Sequence, residues 1–341
     1  MMENRWYRAG LALCAIAVVV GAIWYFFRDS DPASEMGLSL PLECEIGSNC
    51  FIQQYVDVDP GPTKQDYACG SATYDGHKGT DFRVRTLADV ARGIPVVASA
   101  AGQITGLRDG TQDRLVKTKA DRAAVQNKEC GNGVVITHED GWQTQYCHLR
   151  KGSLTVKEGD VVARGDRLGL VGYSGNASFP HVHLSVRKDG KTIDPFRGAE
   201  GGPACGAGSA PLWSTQTLAK LEYQASQLLH IGFSEGPVKI GDVERGTVQG
   251  FMPAMSSRAL VAWGWAINLR KNDQIITTLV SPRGELARNT ATLDRNKAQY
   301  MLFAGKKRPA RGWPAGNYHA VFTVIRNGKA VIKSDLPVDL R

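Results

Sequence analysis

Residues 74–82 read YDGHKGTDF and place His77 four residues before Asp81. Imidazole and carboxylate are metal-ligating groups. On a straight strand, however, Cα atoms four residues apart lie roughly 13 Å from each other, too far for bonds of about 2 Å to a common ion. Helical spacing would suit a ligand pair, yet Gly76, Gly79, Thr80, Phe82 and Val84 disfavour a helix here. The two side chains can meet only if the chain bends at Lys78-Gly79. A second stretch, FPHVHLSV at 179–186, sets His181 and His183 two apart among strand-forming residues. Both side chains then leave one face of a strand about 6–7 Å apart, so one can bind a metal while the other faces the same cavity. His148, which closes the segment TQYCHL, is a third candidate. His138, His230 and His319 stand in no such pattern and read as polar surface or hydrogen-bonded core residues.

Strands must position these groups, and residues 44–200 are dominated by short β runs broken by Gly and Asp. In GNGVVITHEDGWQTQYCHL the alternation and the Asp140-Gly141 pair predict a hairpin. Residues 108–129 form one long polar insertion, either a lip over a substrate groove or a mobile surface loop. The cadence VKEGDVV and RGDRLG at 156–169 also occurs in lipoyl-carrier-like barrels. A carrier would need a modifiable lysine at a hairpin tip and leaves the histidines unexplained.

Around that region the chain of 341 residues divides into a cytoplasmic tip and apolar segment (1–28), a tether (29–43), the all-β domain (44–200), a linker and helix (201–231) and a second, sandwich-like β domain (232–341). The helix is expected over 215–229, where Leu218, Leu221, Ala225 and Leu228 fall at helical spacing behind Ser214 as N-cap. In the second β domain Trp263 and Trp265 share a strand face; stacking on sugars and core packing both fit, core being the commoner use.

Ala9–Phe27 is apolar and uncharged over 19 residues, enough to cross a bilayer. Arg5 and Arg8 precede it, Trp24, Tyr25 and Phe26 close it, and Arg28-Asp29-Ser30 follows in place of a small-residue cleavage site. An uncleaved single-pass anchor in the cytoplasmic membrane is expected, with the bulk of the chain exported to a periplasm or other extracytoplasmic space. Six of the seven cysteines fall in that exported part. Their even number suits disulfides in an oxidising compartment, and without a C-x-x-C pair they do not suggest a zinc-thiolate site. Cys130 and Cys147 flank the predicted hairpin and are the expected pair; the others cannot be paired from sequence. Net charge is +8, or +6 once residues 1–28 are set aside. A basic exported chain can be drawn to an acidic wall polymer or membrane surface, and nucleic acid is not an expected partner there.

Taken in order, H-x-x-x-D at His77–Asp81, the 131–149 hairpin, V-x-E-G-D-V-V and GYSGNASFPHVHL resemble the lysostaphin/LytM-type zinc metalloendopeptidases that cut cell-wall peptide cross-links. The likeness runs over roughly 74–196. It implies an antiparallel β catalytic domain in which His77, Asp81 and His183 bind one zinc ion and His148 and His181 are the catalytic histidines that are not ligands. It implies peptidoglycan peptides as substrate and supplies the bend, with the first histidine on a loop and the aspartate on the following strand. Two imidazoles and a carboxylate leave a fourth zinc position for water, the pattern of a catalytic site. His148 and His181 can then assist proton transfer and stabilise an oxyanion, and which of them is the base stays open. Relatives without the ligands act as regulators or scaffolds of other wall hydrolases, and here all five positions are kept. Ser185 stands where the family commonly has an acidic residue, and Phe179-Pro180 where it has a small residue and proline. A regulatory protein could engage 108–129 or 232–341.

Overall fold

The computed structural model describes residues 36–202 and 204–341. The apolar segment 9–27 lies outside them; among the described residues no helix is long and apolar enough to cross a membrane.

The first β unit contains β1 (Cys50–Gln54), β2 (Thr80–Val84), α1 (Leu87–Arg92), β3 (Pro95–Val97), β4 (Gly102–Arg108), α2 (Lys119–Ala124), β5 (Asn132–Thr137), β6 (Trp142–Leu149), β7 (Val161–Val162), β8 (Arg167–Leu170), β9 (His181–Lys188) and β10 (Lys191–Ile193). Its main sheet runs β1-β2-β9-β6-β5-β4-β7, with β10 on β9, and every pairing is antiparallel. The β5–β6 hairpin turns where expected. Asp140 and Gly141 both adopt positive φ, 52° and 77°, the combination that matches the twist of adjoining strands.

Strand alternation sorts this sheet into two faces. Phe82 and Val84 of β2 and Val182, Leu184 and Val186 of β9 enter one core with Val134, Ile136, Tyr146 and Leu149. Asp81, Arg83, His181 and His183 therefore leave the opposite face. The core is closed by segments read from the sequence as a tether and a linker. Leu38, Leu42, Leu212, Trp213 and Leu221 are buried in it, and Leu38 bridges to Trp213. So the described part of the tether and much of the linker are packed structure, because each carries large apolar residues the sheet needs. The disulfide Cys69–Cys205 joins residues 136 apart across this unit; Cys44–Cys50 and the expected Cys130–Cys147 complete the set.

Asp194 lies within this packing. Burial, the dominant influence, pushes its carboxyl up to about 7 against the opposing Phe196 N–H and the charge of Arg197. An acid whose folded pKa exceeds its unfolded value favours the fold when protonated, so its contribution is lost as pH rises from about 4 to about 7. Asp194→Asn is expected to remove that slope and raise Tm by about 5 °C at pH 8, read from thermal unfolding at a series of pH values.

The helix expected over 215–229 is one turn, α3 (Thr215–Leu218), capped by Ser214, whose hydroxyl accepts from Thr217 N–H. The leucines that suggested it serve two different cores: Leu218 and Leu221 pack in the first, whereas Leu228, with its neighbour Leu229, packs in the second β unit. The latter two therefore sit on a strand, β11 (Gln227–Ser234). The remaining elements are α4 (Ile240–Arg245), β12 (Ala259–Leu269), β13 (Gln274–Ser281), β14 (Gly284–Thr292), β15 (Lys297–Lys307), β16 (Gly316–Arg326) and β17 (Lys329–Leu340). They form sheets β11-β12-β15 and β14-β13-β16-β17. Leu260 and Ala262 pack with Leu279, Tyr318 and Ala320, and Ala266 with Ile275, Phe322 and Val324, so the two sheets bury facing sides against each other.

The two β units share an apolar junction. Phe51, which pairs with Arg83, is buried with Val243, Val261, Trp263, Trp265 and Ile267. Both tryptophans are thus core residues, fully shielded from solvent. Gln227 and Asn268 donate side-chain hydrogen bonds to the carbonyls of Ile52 and Gln53.

Candidate active site

The register of β2 against β9 sets Asp81 opposite His183 and Arg83 opposite His181. Directly opposed residues share a face, so a carboxylate and two imidazoles leave the sheet side by side. Next to them, β6 pairs Cys147 with His183, and His148 follows at φ 67°, a left-handed conformation uncommon for a residue with a side chain. The Cys130–Cys147 bond and the hydrogen bond from His148 N–H to the Cys130 carbonyl hold that turn.

His77 reaches the cluster from the loop before β2. The strand begins only at Thr80, so the bend demanded by the H-x-x-x-D spacing lies at Lys78-Gly79. His77 Nδ1–H donates to the Tyr55 carbonyl at 2.6 Å, which leaves the Nε2 lone pair 3.2 Å from Asp81 Oδ1 and 3.1 Å from His183 Nδ1. His183 Nδ1 is 2.8 Å from Asp81 Oδ1, while its Nε2–H donates to the Ser185 hydroxyl at 3.0 Å. Ser185 thus gives His183 the outer hydrogen bond that an acidic residue would otherwise supply. The ligand atoms of His77, Asp81 and His183 all lie within 4.8 Å of one another. Three lone pairs converging in a buried site repel unless a cation lies between them. The donor set, two imidazoles and a carboxylate, suits zinc.

His181 and His148 border this cluster, their rings 4.5 Å apart. Each is tied through Nδ1–H to a backbone carbonyl, His148 to Ser174 at 2.8 Å and His181 to Phe179 at 2.9 Å. Their Nε2 atoms stay available, that of His181 lying 3.5 Å from Asp81 Oδ1. Burial pushes both imidazoles below their ordinary range, His148 far below it. Burial alone would raise the Asp81 carboxyl, but His77, His181 and His183 hold it well below the usual carboxylate range. Burial alone would lower His77, but the charge and hydrogen bond of Asp81, with the Tyr55 carbonyl and the charge of Asp57, together move it up.

All five candidate residues are therefore brought into one cluster. The other histidines lie elsewhere: His138 bonds the Ala101 carbonyl and Thr144 hydroxyl, His319 pairs with Asp335, and His230 packs edge-on against Trp263. Several site contacts had no signal in the sequence reading. The carbonyls of Tyr55, Ser174 and Phe179 belong to no residue type, and Tyr74, half exposed at the rim with its ring 4.4 Å from His77, stood outside any motif.

The insertion is tied to its surroundings by hydrogen bonds and an ion pair. Thr118 and Asp121 cap α2 reciprocally, and Asp113 accepts from the backbone N–H groups of Lys151 and Tyr173. Val116 N–H bonds the Ala177 carbonyl, two residues from Phe179, and Lys117 pairs with Glu244 of α4 at 3.1 Å.

Gly79 is a close approach. A Cβ there would lie 2.5 Å from His183 Nε2 and 2.7 Å from the Leu184 carbonyl oxygen, both set by strand β9. Gly79→Ala is expected to tilt His183 and weaken metal affinity by about 10–100-fold, measured by titration against a competing chelator.

Residues 75–195 match the family model described as Peptidase family M23. A Haemophilus influenzae protein described as an uncharacterized metalloprotease is 32% identical over 134 residues, covering 39% of this chain and 23% of that one. Peptidoglycan DD-endopeptidase ShyA of Vibrio cholerae is 31% identical over 121 residues, 36% of this chain and 22% of its own. DD-carboxypeptidase/endopeptidase Mpg of Neisseria meningitidis is 33% identical over 118 residues, 33% and 22% of the two chains. The chain thus spans under a quarter of the length of these curated relatives. Among solved structures, the catalytic domain of lysostaphin from Staphylococcus simulans aligns with TM-score 0.26 at 22% identity, over 42% of this chain and 85% of that domain.

Proposed function

From a chain whose residues 75–195 form a peptidase family M23 domain, we propose a membrane-anchored, exported zinc metalloendopeptidase that hydrolyses peptide cross-links of peptidoglycan. The observation that carries this reading is the convergence of three ligand lone pairs beside two Nε2 atoms in one cleft. His77, Asp81 and His183 would hold the metal. Bound there, zinc would supply Lewis acidity towards a scissile carbonyl and acidify water towards a pKa of about 7.

The protein's own groups do the rest. Asp81 brings negative charge into the cluster while the Tyr55 carbonyl and Ser185 hydroxyl keep two imidazoles turned with their lone pairs inward. His148 and His181, with Nδ1–H fixed on carbonyls, each present Nε2 to take up a proton, deliver one to a leaving amine or stabilise an oxyanion. Their depressed basicity keeps both neutral near pH 7, ready to accept.

Retention of all five positions supports a hydrolase over a non-catalytic regulator. Three disulfides and the apolar segment 9–27 support export and anchoring, with the catalytic unit held near the membrane face. Relatives named as peptidoglycan DD-endopeptidases favour the direct D-alanyl–diamino acid bond over a glycine bridge. To test the choice, zinc-loaded residues 29–341 would be incubated separately with directly cross-linked and glycine-bridged wall-peptide dimers and the products weighed by mass spectrometry. Scission of the direct cross-link alone is expected. Cleavage only of glycine bridges would overturn the substrate, and two intact dimers the reading itself.

A further inference from the structure

Arg83 is a charged side chain in a place that burial makes costly. It is 1% exposed, and among the described residues its hydrogen-bond acceptors are two neutral amides. Nη1 donates to Gln53 Oε1 at 2.6 Å, and Nη1 and Nη2 both reach Gln299 Oε1 at 3.3 Å. Its guanidinium lies between two rings, 4.9 Å from Phe179 and 4.7 Å from Trp265. Gln299 and Trp265 belong to the second β unit, so this one side chain spans the junction between the units. From Gln299 the chain of contacts continues through Glu244 to Lys117 of the insertion.

On the other side, the chain ends at the cleft. The Phe179 ring stacks on His181 with centroids 4.5 Å apart and planes inclined by 31°. The Phe179 carbonyl takes the His181 Nδ1–H. One residue therefore fixes both the plane and the tautomer of that imidazole, and Arg83, packed against the Phe179 ring, holds that residue in place.

We infer that Arg83 is a positioning residue, through which Trp265 and Gln299 of the second β unit hold Phe179 and so orient His181 towards the cleft. The second β unit then acts on the reaction itself, as a support for a histidine that precedes Trp265 by about 80 residues in the sequence. The inference rests on the hydrolase reading for its kinetic consequence, though its geometric half stands apart from it.

The test uses the purified, zinc-loaded full chain. Arg83→Met keeps the apolar stem and removes the guanidinium; Gln299→Leu loosens the same contact from outside the cleft and serves if Arg83→Met does not fold. Cross-link cleavage is resolved into kcat and KM, and the His181 ring proton, shifted by the Phe179 ring, is followed by NMR in histidine-labelled protein. Arg83→Met is expected to lower kcat about tenfold with KM within about twofold, since a displaced catalytic group costs rate more than binding. The His181 resonance should move towards its unstacked position, Gln299→Leu should shift both readouts the same way by less, and the double variant should add little. The inference is overturned if kcat stays within about twofold of wild type, or if it falls only in step with the folded fraction while the His181 resonance stays put. If wild type cleaves no cross-link but the resonance moves in Arg83→Met, the hydrolase reading fails and the positioning stands.

Discussion

Asp81→Ala is expected to abolish cross-link cleavage, by a factor of about 10³ or more, and to release the metal. Asp81 supplies the anionic member of the ligand group, is 2% exposed and faces three imidazoles, at 3.2 Å for His77, 2.8 Å for His183 and 3.5 Å for His181. Without it a cation in this buried space has two neutral ligands and no countercharge. His77 also loses the charge that raises its basicity against burial. Asp81→Asn separates charge from shape: it preserves volume and one oxygen, and is expected to lose most of the metal too. Metal content of dialysed protein, measured with cleavage on the same samples, checks both variants. An Asn variant that keeps its metal and its rate would show that the carboxylate charge is not what binds.

The second large effect separates catalysis from metal binding. His148→Ala is expected to lower kcat by about 10²–10⁴ while metal content stays at the wild-type level. His148 lies outside the ligand triplet, its Nδ1–H on the Ser174 carbonyl and its ring 4.5 Å from His181. Burial, assisted by His181 and His183, holds the imidazole far below its ordinary pKa. A histidine depressed in the fold is neutral above its unfolded pKa and opposes folding as pH falls below it, since the unfolded chain then takes up a proton the folded site resists. His148→Ala should therefore lose activity at every pH yet lose less stability than wild type between about pH 6.5 and 5. Equal loss of metal and rate would instead make His148 part of the metal site.

Much of the cleft was legible because its side chains are chemically distinctive and their strands short. Alternation in FPHVHLSV puts His181 and His183 on one face, and Asp140-Gly141 marks the hairpin that delivers His148. Contacts made by backbone carbonyls were not legible, since any residue can offer one. The misread helix at 215–229 has a different cause: apolar spacing records that leucines are buried and not which core buries them. Leu221 and Leu229 answer to separate β units, and a strand resulted. Leu38 and Leu42 were hidden in a short segment whose partners, Leu212 and Trp213, lie far along the chain. Arg83 belongs to no motif, and its neighbours Trp265 and Gln299 come together with it only when the two β units meet.

The most direct measurement of the central claim is zinc per chain, by elemental analysis, alongside cleavage of cross-linked wall peptides by wild type and His183→Ala. His183 offers Nδ1 to the ligand group and touches it from β9 alone, so its loss leaves His77 on its loop and Asp81 on β2 in place. One zinc per wild-type chain, dimers converted to monomers, and loss of both in His183→Ala is the predicted result. A variant that binds zinc and cleaves dimers like wild type would contradict the account.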